Sequence, residues 1–108
     1  MKVSTWSMAD VRARHRGHWF DAETMRFFRC RVGSYGYTGD GGATVYFVSS
    51  EQFVWLGHVA PRRYSVRVCD ADGDIDTAGE FQAYASRGAA DRAARKLAAQ
   101  QGAAEVAQ

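Results

Sequence analysis

The sequence predicts an α+β domain in which N-terminal helices and a C-terminal helix pack on a small antiparallel sheet of three to four strands. Three observations predict this fold class. Residues 62–85 have the pattern of two strands joined by the acidic turn DADGD. Residues 43–50 are rich in β-branched and aromatic side chains, which is typical of a buried strand. Residues 7–33 and 86–101 instead carry helix caps and apolar residues at helical spacing.

The composition predicts a soluble globular protein. The chain has 108 residues, of which 46% are hydrophobic and 24% charged. We expect one domain over residues 1–102 and a frayed tail over residues 103–108. Two cysteines are too few for a disulfide framework, and with no signal peptide they indicate a reducing cytoplasm. No apolar run approaches the roughly 18 residues of a membrane-spanning helix, so we expect no membrane association.

Two N-terminal helices are predicted from their caps. Ser7 caps the first helix, and Gly17 ends it in a left-handed conformation. The second helix begins at Ala22 and ends at Gly33. Its inner face is predicted from apolar residues at helical spacing, with Phe27 beside them: Met25, Phe28 and Val32.

A flexible loop is predicted between the second helix and the first predicted strand. Residues 33–42, GSYGYTGDGG, contain five glycines. The glycines lack the spacing of phosphate-binding motifs, and a strand rather than a helix follows them. We therefore do not expect this loop to bind a nucleotide.

Residues 51–61 leave two interpretations open. Gly57 and Pro61 argue against one long strand, although Phe53 and Trp55 are apolar enough to extend a sheet or cover its edge. If these aromatic residues are buried, they belong to the core. If they are exposed, they form the best candidate for a partner-binding patch, because Trp and Phe concentrate at such sites. The candidate partner-binding residues are Phe53, Trp55, Arg62, Arg63 and Arg67.

The hairpin over residues 62–85 is predicted to bury one face of its strands. In the first strand apolar residues alternate with polar ones, so we expect the apolar set to face the core and the polar set to face water. The return strand alternates in the same way over residues 80–85, with Gly79 as a bulge. The apolar set of the first strand is Tyr64, Val66 and Val68, and the polar set is Arg63, Ser65 and Arg67.

The last helix is predicted to begin after its cap Ser86 and to end near Gly102. Small apolar residues at 90, 93, 94 and 97 would let it lie close to the sheet. Basic residues three and four apart share its outer edge, and they are candidate contacts to nucleic acid, with solvated side chains as the alternative. These candidates are Arg87, Arg92, Arg95 and Lys96.

Charge is distributed unevenly along the chain, although the net charge is only +2. Residues 70–80 contain five acidic residues and no basic one. Such a cluster would repel nucleic acid, so any nucleic-acid surface is expected elsewhere. The stretch DADGDID also resembles the opening of a calcium loop, but Ile75 stands where the turn glycine is needed and Phe81 where the bidentate glutamate is needed. We interpret it as an acidic hairpin turn.

Metal-binding and catalytic motifs are not apparent. His15 and His18, with Cys30 and Cys69, are residue types that zinc accepts, but their spacing matches no finger. We therefore expect no metal and no cofactor. No nucleophile elbow or zinc-protease motif is present, so we expect a non-enzymatic protein. A small enzyme that uses His18 or His58 is the minority alternative.

The C-terminal third resembles the double-stranded-RNA-binding domain. The resemblance lies in the α-β-β-β-α order and in the alanine-rich basic helix ASRGAADRAARKLAAQ. The chain departs from that family at Arg87 and Gly88, where the family has a run of lysines. It departs again at the acidic hairpin, which lies where the family contacts RNA. The resemblance implies a nucleic-acid-binding module.

A second resemblance covers residues 18 to about 98. The ordered blocks HWFDAETMRFFRCRV, YFVSSEQF, APRRYSVRV and IDTAGEFQAYA are similar to short proteins of unknown function that are encoded by bacteriophages and prophages. This resemblance implies an accessory protein of a phage or mobile element in the bacterial cytoplasm. It implies no catalytic residues.

The sequence thus leads to two hypotheses about function. The first is a non-enzymatic accessory protein that binds a host protein complex, as inhibitors of bacterial defence such as anti-CRISPRs do. The second is a nucleic-acid-binding module that uses the basic residues of the C-terminal helix.

Overall fold

The computed structural model describes residues 3–107, with side chains described through residue 103. Eight strands and three helices follow one another along this part of the chain. The strands are β1 Ser4–Ser7, β2 Arg31–Val32, β3 Tyr35–Thr38, β4 Val45–Glu51, β5 Val54–Trp55, β6 His58–Val59, β7 Arg63–Cys69 and β8 Ile75–Thr77. The helices are α1 Met8–Arg14, α2 Ala22–Phe27 and α3 Arg87–Ala107.

A six-stranded antiparallel sheet lies at the centre of the fold and confirms the predicted α+β class. Its main order is β1-β3-β4-β7-β8, and β2 pairs with β4 beside this path. Strands β4 and β7 pair over their full length, from Val45 opposite Cys69 to Glu51 opposite Arg63. The sheet has more strands than predicted because β1, β2 and β3 were not recognised in the sequence.

Helix α3 covers one face of the sheet, as its alanine stripe predicts. Ala90, Ala94 and Ala98 are fully buried in one cluster with Val48 of β4. These small side chains let the helix backbone approach the sheet closely. A Cβ atom at Gly39 would lie only 2.0 Å from the Ala98 carbonyl oxygen, so only glycine fits at that position.

The opposite face of the sheet is also covered, by residues of and after α1. Phe47 and Val48 are consecutive on β4, so they point to opposite faces, and both are buried. Trp19 and Phe20, which follow α1, pack on the Phe47 side. The buried residues of this second cluster are Met8, Val11, Val45, Phe47 and Cys69.

The start of α1 is confirmed, but its end lies earlier than predicted. The Ser7 hydroxyl accepts a hydrogen bond from the Asp10 amide at 3.2 Å, as an N-cap does. The helix ends at Arg14 because His15 takes an extended conformation with ψ of 135°. The His15 ring is held by the Gly73 carbonyl oxygen, so tertiary contact ends the helix before Gly17 can.

Helix α2 begins at Ala22 as predicted, but it ends at Phe27 rather than at Gly33. Arg29 has a positive φ of 48°, which breaks the helix. Residues 31–32 then form β2, in which Val32 pairs with Ser49 of β4 and packs against the Phe47 side of the core. Phe27, predicted to pack beside the inner face, is exposed.

The glycine-rich segment 33–42 contains a strand where a loop was predicted. Residues Tyr35–Thr38 form β3 between β1 and β4. Gly36 is required there, since a Cβ atom would lie 2.6 Å from the Val45 side chain. The prediction failed because close packing, not flexibility, selects this glycine.

The predicted hairpin is correct in its first strand and turn, but its return strand is short. Strand β8 ends at Thr77, the chain then leaves the sheet, and only Tyr84 returns to bridge Tyr64. The polar face predicted to be wet is covered, since Ser65 is buried and Arg67 is mostly buried. Alternation alone does not reveal this, because the covering residues come from distant parts of the chain.

The Ser86 hydroxyl caps α3 by accepting the Ala89 amide at 3.2 Å. The helix continues through Gly102 to Ala107, so Gly102 does not end it. The prediction of a frayed tail over residues 103–108 extends to Gln108, which lies outside the described residues. Within residues 3–107, no helix is both long enough and apolar enough to cross a membrane.

Candidate partner-binding surface

Four phenylalanine rings form a connected cluster on the side of the sheet opposite α3. Phe28 is central, with ring centroids 4.6 Å from Phe27, 5.3 Å from Phe53 and 5.9 Å from Phe81. Phe53 and Phe81 also contact each other at 6.2 Å. All four pairs meet edge to face, the geometry that aromatic quadrupoles favour. We call these four residues the aromatic cluster.

The aromatic cluster is open to solvent. Phe27 is 78% exposed, and Phe53 and Phe81 are each about 40% exposed. Single exposed apolar residues are common on proteins, but a connected group of exposed aromatic rings is not. Such a group is typical of a binding surface.

A two-stranded hairpin continues this apolar surface from Phe53. Val54 pairs with Val59 and Trp55 pairs with His58, and the turn between them is Leu56–Gly57. Trp55 is 72% exposed and Leu56 is 90% exposed. We call Trp55 and Leu56 the hairpin tip. The exposed alternative left open for residues 51–61 is therefore the one observed.

The turn of this hairpin has an unusual residue. Leu56 and Gly57 both have positive φ, of 48° and 76°. Two-residue turns with positive φ at both positions favour Asn-Gly, because a branched apolar side chain is strained there. A leucine that is strained and exposed does not stabilise the fold. Its side chain is therefore a candidate for contact with a partner.

One hydrogen bond ties the base of the hairpin to the segment that carries Phe28, and two others close the base itself. The Gln52 amide donates to the Phe28 carbonyl at 2.8 Å, and the Ala60 amide donates to the Phe53 carbonyl at 2.9 Å. The Gln52 side-chain amide donates to the Ala60 carbonyl at 3.1 Å. The hairpin is therefore fixed next to the aromatic cluster, although its tip contacts solvent.

Arg62 and Arg63, predicted as partner contacts, bind the protein's own backbone. Arg62 donates to the Arg29 carbonyl at 2.9 Å, one residue beyond Phe28. Arg63 donates to the Gln82 carbonyl at 2.8 Å, one residue beyond Phe81. Both arginines thus position segments that carry rings of the aromatic cluster.

Arg67, the third predicted arginine, forms a salt bridge with Glu51. The carboxylate and the guanidinium lie 2.7 Å apart, with side-chain exposure of 1% for Glu51 and 11% for Arg67. The Ser49 hydroxyl donates to Glu51 at 2.9 Å and accepts from Arg67 at 3.0 Å. Arg67 also binds the Thr77 hydroxyl. The guanidinium lies over the Trp19 and Phe81 rings, at 5.5 and 5.2 Å from their centroids.

A cavity of about 360 Å³ lies between this salt bridge and the aromatic cluster. Phe28 and Phe81 line it and also belong to the aromatic cluster, so the cavity adjoins the exposed surface. Its walls are largely apolar, and its charged groups are Glu51 and Arg67. The lining residues are Trp19, Thr24, Met25, Phe28, Cys30, Glu51, Arg67 and Phe81.

Cys30 lines the cavity as a protonated thiol. Burial raises its pKa to about 11, and the nearby Glu51 carboxylate adds to the rise, while Arg67 and Arg62 oppose it. A reactive cysteine needs a lowered pKa. Cys69 lies in the second core cluster, and burial raises its pKa as well.

The histidines singled out in the sequence are separated in the structure. His15 is structural: its Nδ1 lies 2.6 Å from the Gly73 carbonyl oxygen, and its Nε2 accepts the Trp19 amide at 3.1 Å. His18 contacts Asp21 on the surface at 2.8 Å, and His58 is exposed on β6. Among the described residues, no three His, Cys, Asp or Glu side chains come together as a metal site.

The acidic turn uses one carboxylate to organise its own backbone. Asp70 accepts hydrogen bonds from the Asp72 and Asp74 amides at 2.9 and 3.0 Å. Gly73 has φ of 89°, and a Cβ atom there would lie 2.4 Å from the Arg14 carbonyl oxygen. This network accounts for the sequence DADG as a turn packed against the end of α1.

The basic residues of α3 are exposed but only partly grouped. Helical spacing places Arg92, Arg95 and Lys96 together on the outer side of the helix. Arg87 lies near Gly33 instead, and the Arg95 guanidinium is over the Tyr37 ring at 4.7 Å. Three of the four predicted nucleic-acid candidates therefore share a face.

Several residues of the surface escaped sequence reasoning. Phe27 and Phe28 were assigned to the inner face of the second helix, and Glu51 was given no role. The paired phenylalanines 27–28 offered one signal, since adjacent helix positions point about 100° apart and two large rings there widen the apolar face.

No curated protein and no solved structure matches this chain. A family model does match, over residues 5–95, from β1 into α3. That range includes the aromatic cluster, the hairpin tip and the Glu51–Arg67 salt bridge. The chain belongs to this family, DUF7447, a family of unknown function.

Proposed function

We propose that this protein is a non-enzymatic binding module that contacts a partner protein through the aromatic cluster and the hairpin tip. The observation that carries the proposal is the continuity of exposed apolar side chains from Phe27 through Phe53 to Leu56. A small number of large aromatic residues supplies most of the energy of typical protein interfaces. Trp55 and Phe27 provide such residues, and the hydrogen bond from Gln52 to Phe28 fixes the hairpin beside the aromatic cluster.

Charge around the surface indicates what kind of partner fits. Arg26 and Arg29 are exposed beside Phe27 and Phe28, while Glu23 and Glu80 are the neighbouring acids. Arg31 follows on β2, but its pairing with Ser50 places it on the face of the sheet that α3 covers. Basic and acidic residues are therefore balanced around the aromatic cluster, so the partner is expected to present apolar side chains bordered by charges of both signs.

The biological setting we propose is that of an accessory protein from a bacteriophage or other mobile element. Its partner would then be a host protein complex in the bacterial cytoplasm, and inhibitors of bacterial defence such as anti-CRISPRs are the functional analogy. The support is the resemblance of four ordered sequence blocks to short phage and prophage proteins. Binding rather than catalysis is supported by the protonated Cys30 thiol and by the structural hydrogen bonds of His15.

Site-specific photocrosslinking in a bacterial lysate tests the proposal. A benzophenone amino acid replaces Trp55 in one variant and the exposed Asp76 of β8 in a matched control. We expect the Trp55 probe, but not the Asp76 probe, to give a discrete crosslinked protein. Leu56→Ser in the probe chain should reduce that product at least several-fold. Equal crosslinking at both positions, or crosslinking only to a second copy of this chain, would overturn the proposal.

The second candidate function is nucleic-acid binding through α3, which the shared exposure of Arg92, Arg95 and Lys96 favours. Fluorescence anisotropy with labelled duplex RNA, duplex DNA and single strands, at low and physiological salt, distinguishes the two. A phosphate-contacting face predicts affinity that falls steeply with salt and is lost in Arg92→Glu/Arg95→Glu. The crosslink from Trp55 should survive that double substitution if the partner is a protein.

A further inference from the structure

We propose that the cavity beside the aromatic cluster receives one tyrosine side chain of the partner protein. This inference rests on the proposed function and deepens it, because it names the residue that anchors the partner. It is carried by three features of the cavity, namely its position, its walls and the hydrogen-bonding capacity of Arg67, whose charge Glu51 compensates.

The position of the cavity favours an occupant that belongs to a docked protein. Phe28 and Phe81 contribute both to the cavity lining and to the aromatic cluster. A partner that covers the aromatic cluster therefore lies directly above the cavity. Anchor side chains that fill a pocket near the centre of an interface are the usual source of its binding energy.

The walls of the cavity suit a flat aromatic ring. Trp19, Phe28 and Phe81 present three aromatic side chains, and Met25 adds a polarizable thioether. The volume of about 360 Å³ exceeds that of one aromatic side chain and lies in the range of ordinary ligand pockets. A ring can make edge-to-face contacts here that an aliphatic chain cannot make.

The charged groups of the cavity select a neutral occupant. Glu51 and Arg67 form a salt bridge at 2.7 Å, so their charges compensate each other. A charged ligand would lose its hydration without finding an unpaired counter-charge, so its binding is disfavoured. A neutral polar group pays no such penalty.

Arg67 retains hydrogen-bonding capacity towards the cavity, whereas the Glu51 side chain is only 1% exposed. The Arg67 guanidinium has five N–H groups, and its bonds within the protein are those to Ser49, Thr77 and Glu51. A phenolic hydroxyl can accept a hydrogen bond from the guanidinium, whereas a tryptophan N–H only donates and phenylalanine does neither.

The test uses the isolated chain and two amino-acid amides. N-acetyl-tyrosinamide and N-acetyl-phenylalaninamide differ only in the phenolic hydroxyl, and each is titrated while the Trp19 indole and Met25 methyl signals are followed by NMR. We expect the tyrosine amide to shift both signals and to bind about tenfold more tightly than the phenylalanine amide, as one well-placed hydrogen bond allows. Equal affinity for the two amides, or no shift with either, would overturn the inference.

A matched pair of variants on α2 locates the binding. Thr24 lines the cavity and is exposed, so Thr24→Phe should obstruct it without disturbing the core. Arg26 is exposed on the same helix and is not part of the lining, so Arg26→Phe serves as the control. We expect tyrosine-amide binding to weaken at least several-fold in Thr24→Phe and to persist in Arg26→Phe. The reverse pattern would contradict a site in the cavity.

The outcome for the cavity is separable from the outcome for the partner. If crosslinking from Trp55 captures a partner but the tyrosine amide does not bind, the tyrosine inference fails and the proposed function stands. If the amide binds in the cavity but Trp55 captures no partner, the chemistry of the cavity is supported and the proposed function fails.

Discussion

The Glu51 carboxylate and the Arg67 guanidinium lie 2.7 Å apart on neighbouring strands, and the Ser49 hydroxyl bridges them. This salt bridge is nearly closed to solvent, and it lies where the polar face of β7 meets the cavity. The guanidinium also packs over Trp19 and Phe81, so the same interaction that satisfies a buried charge fixes two walls of the cavity.

Removing one partner of this salt bridge should destabilise the fold strongly. Glu51→Gln or Arg67→Met leaves the other group buried without its counter-charge, which costs about 3–5 kcal/mol of unfolding free energy. The double variant Glu51→Leu/Arg67→Met removes both charges and should lose much less than the sum of the two single variants. Urea unfolding followed by circular dichroism measures all of these, and additive losses would show that the pair is not coupled.

The parts of the fold that depend on local signals could be predicted from the sequence. The Ser7 and Ser86 caps and strand β4 follow from side chains that act on nearby backbone or from a continuous apolar run. The prediction that the alanine stripe of α3 packs on the sheet is also confirmed, because small apolar residues at helical spacing allow a close approach to the sheet. Strand β3 and the end of α2 depend instead on close contacts between distant residues, which no local pattern encodes.

The candidate site was recovered only in part, for a similar reason. Phe53 and Trp55 were named as candidates because the sequence left both a buried and an exposed position open for them. It could not decide between the two, since buried and exposed aromatic residues look alike in sequence. Arg67 was placed in water because its alternation with Val66 and Val68 is typical of a half-exposed strand. Its true environment comes from Trp19 and Phe81, which lie far away in sequence.

Stability should fall at alkaline pH through Cys30. Its pKa is raised from 9.0 to about 11 in the folded state, so the folded protein holds this proton more tightly than the unfolded chain does. The stabilising contribution is therefore present below pH 9 and is lost as the pH rises towards 11. Urea midpoints at neutral and alkaline pH should show a smaller alkaline loss in Cys30→Ala than in the wild type. An equal loss in both would show that other groups cause it.

Alkylation offers a second readout of the same thiol. Below both pKa values, the thiolate fraction of folded Cys30 should be on the order of 100-fold smaller than that of the unfolded chain. Peptide mass spectrometry after iodoacetamide treatment, with and without urea, measures the rate at this residue alone. A fast reaction in the folded protein would contradict the protonated thiol.

His15 should be important for stability, and His18 should not. A carbonyl oxygen only accepts and an amide only donates, so the His15 ring must be the neutral form with its proton on Nδ1, bonded to Gly73 and Trp19. His15→Ala leaves both backbone groups without that partner and should cost about 2 kcal/mol. His18→Ala removes only a surface contact and should change stability by less than about 0.5 kcal/mol. Thermal and urea unfolding of the two variants provide the comparison, and equal losses would contradict a structural role for His15.

Two glycine substitutions should shift stability in opposite directions. Gly39→Ala places a Cβ atom 2.0 Å from the Ala98 carbonyl oxygen, which pushes α3 away from the sheet and should cost more than about 2 kcal/mol. Gly88→Ala lies in the first turn of α3, where the nearest atom is the Arg92 side chain at 3.4 Å. Alanine favours the helix there and should stabilise it by about 0.5 kcal/mol. Urea unfolding measures both, and a tolerated Gly39→Ala would argue against the close approach.

Leu56→Asn should separate stability from binding at the hairpin tip. Asparagine tolerates the positive φ of 48° that strains leucine, so the substitution should raise the unfolding free energy by about 1 kcal/mol. It also removes the most exposed apolar side chain of the surface, so it should weaken partner binding at least several-fold. Thr5→Asn, on the edge strand β1, is a matched polar control that should leave binding unchanged. Urea unfolding and the yield of the Trp55 crosslink measure the two effects. Unchanged binding in a stabilised Leu56→Asn would mean that the leucine is not retained for a partner.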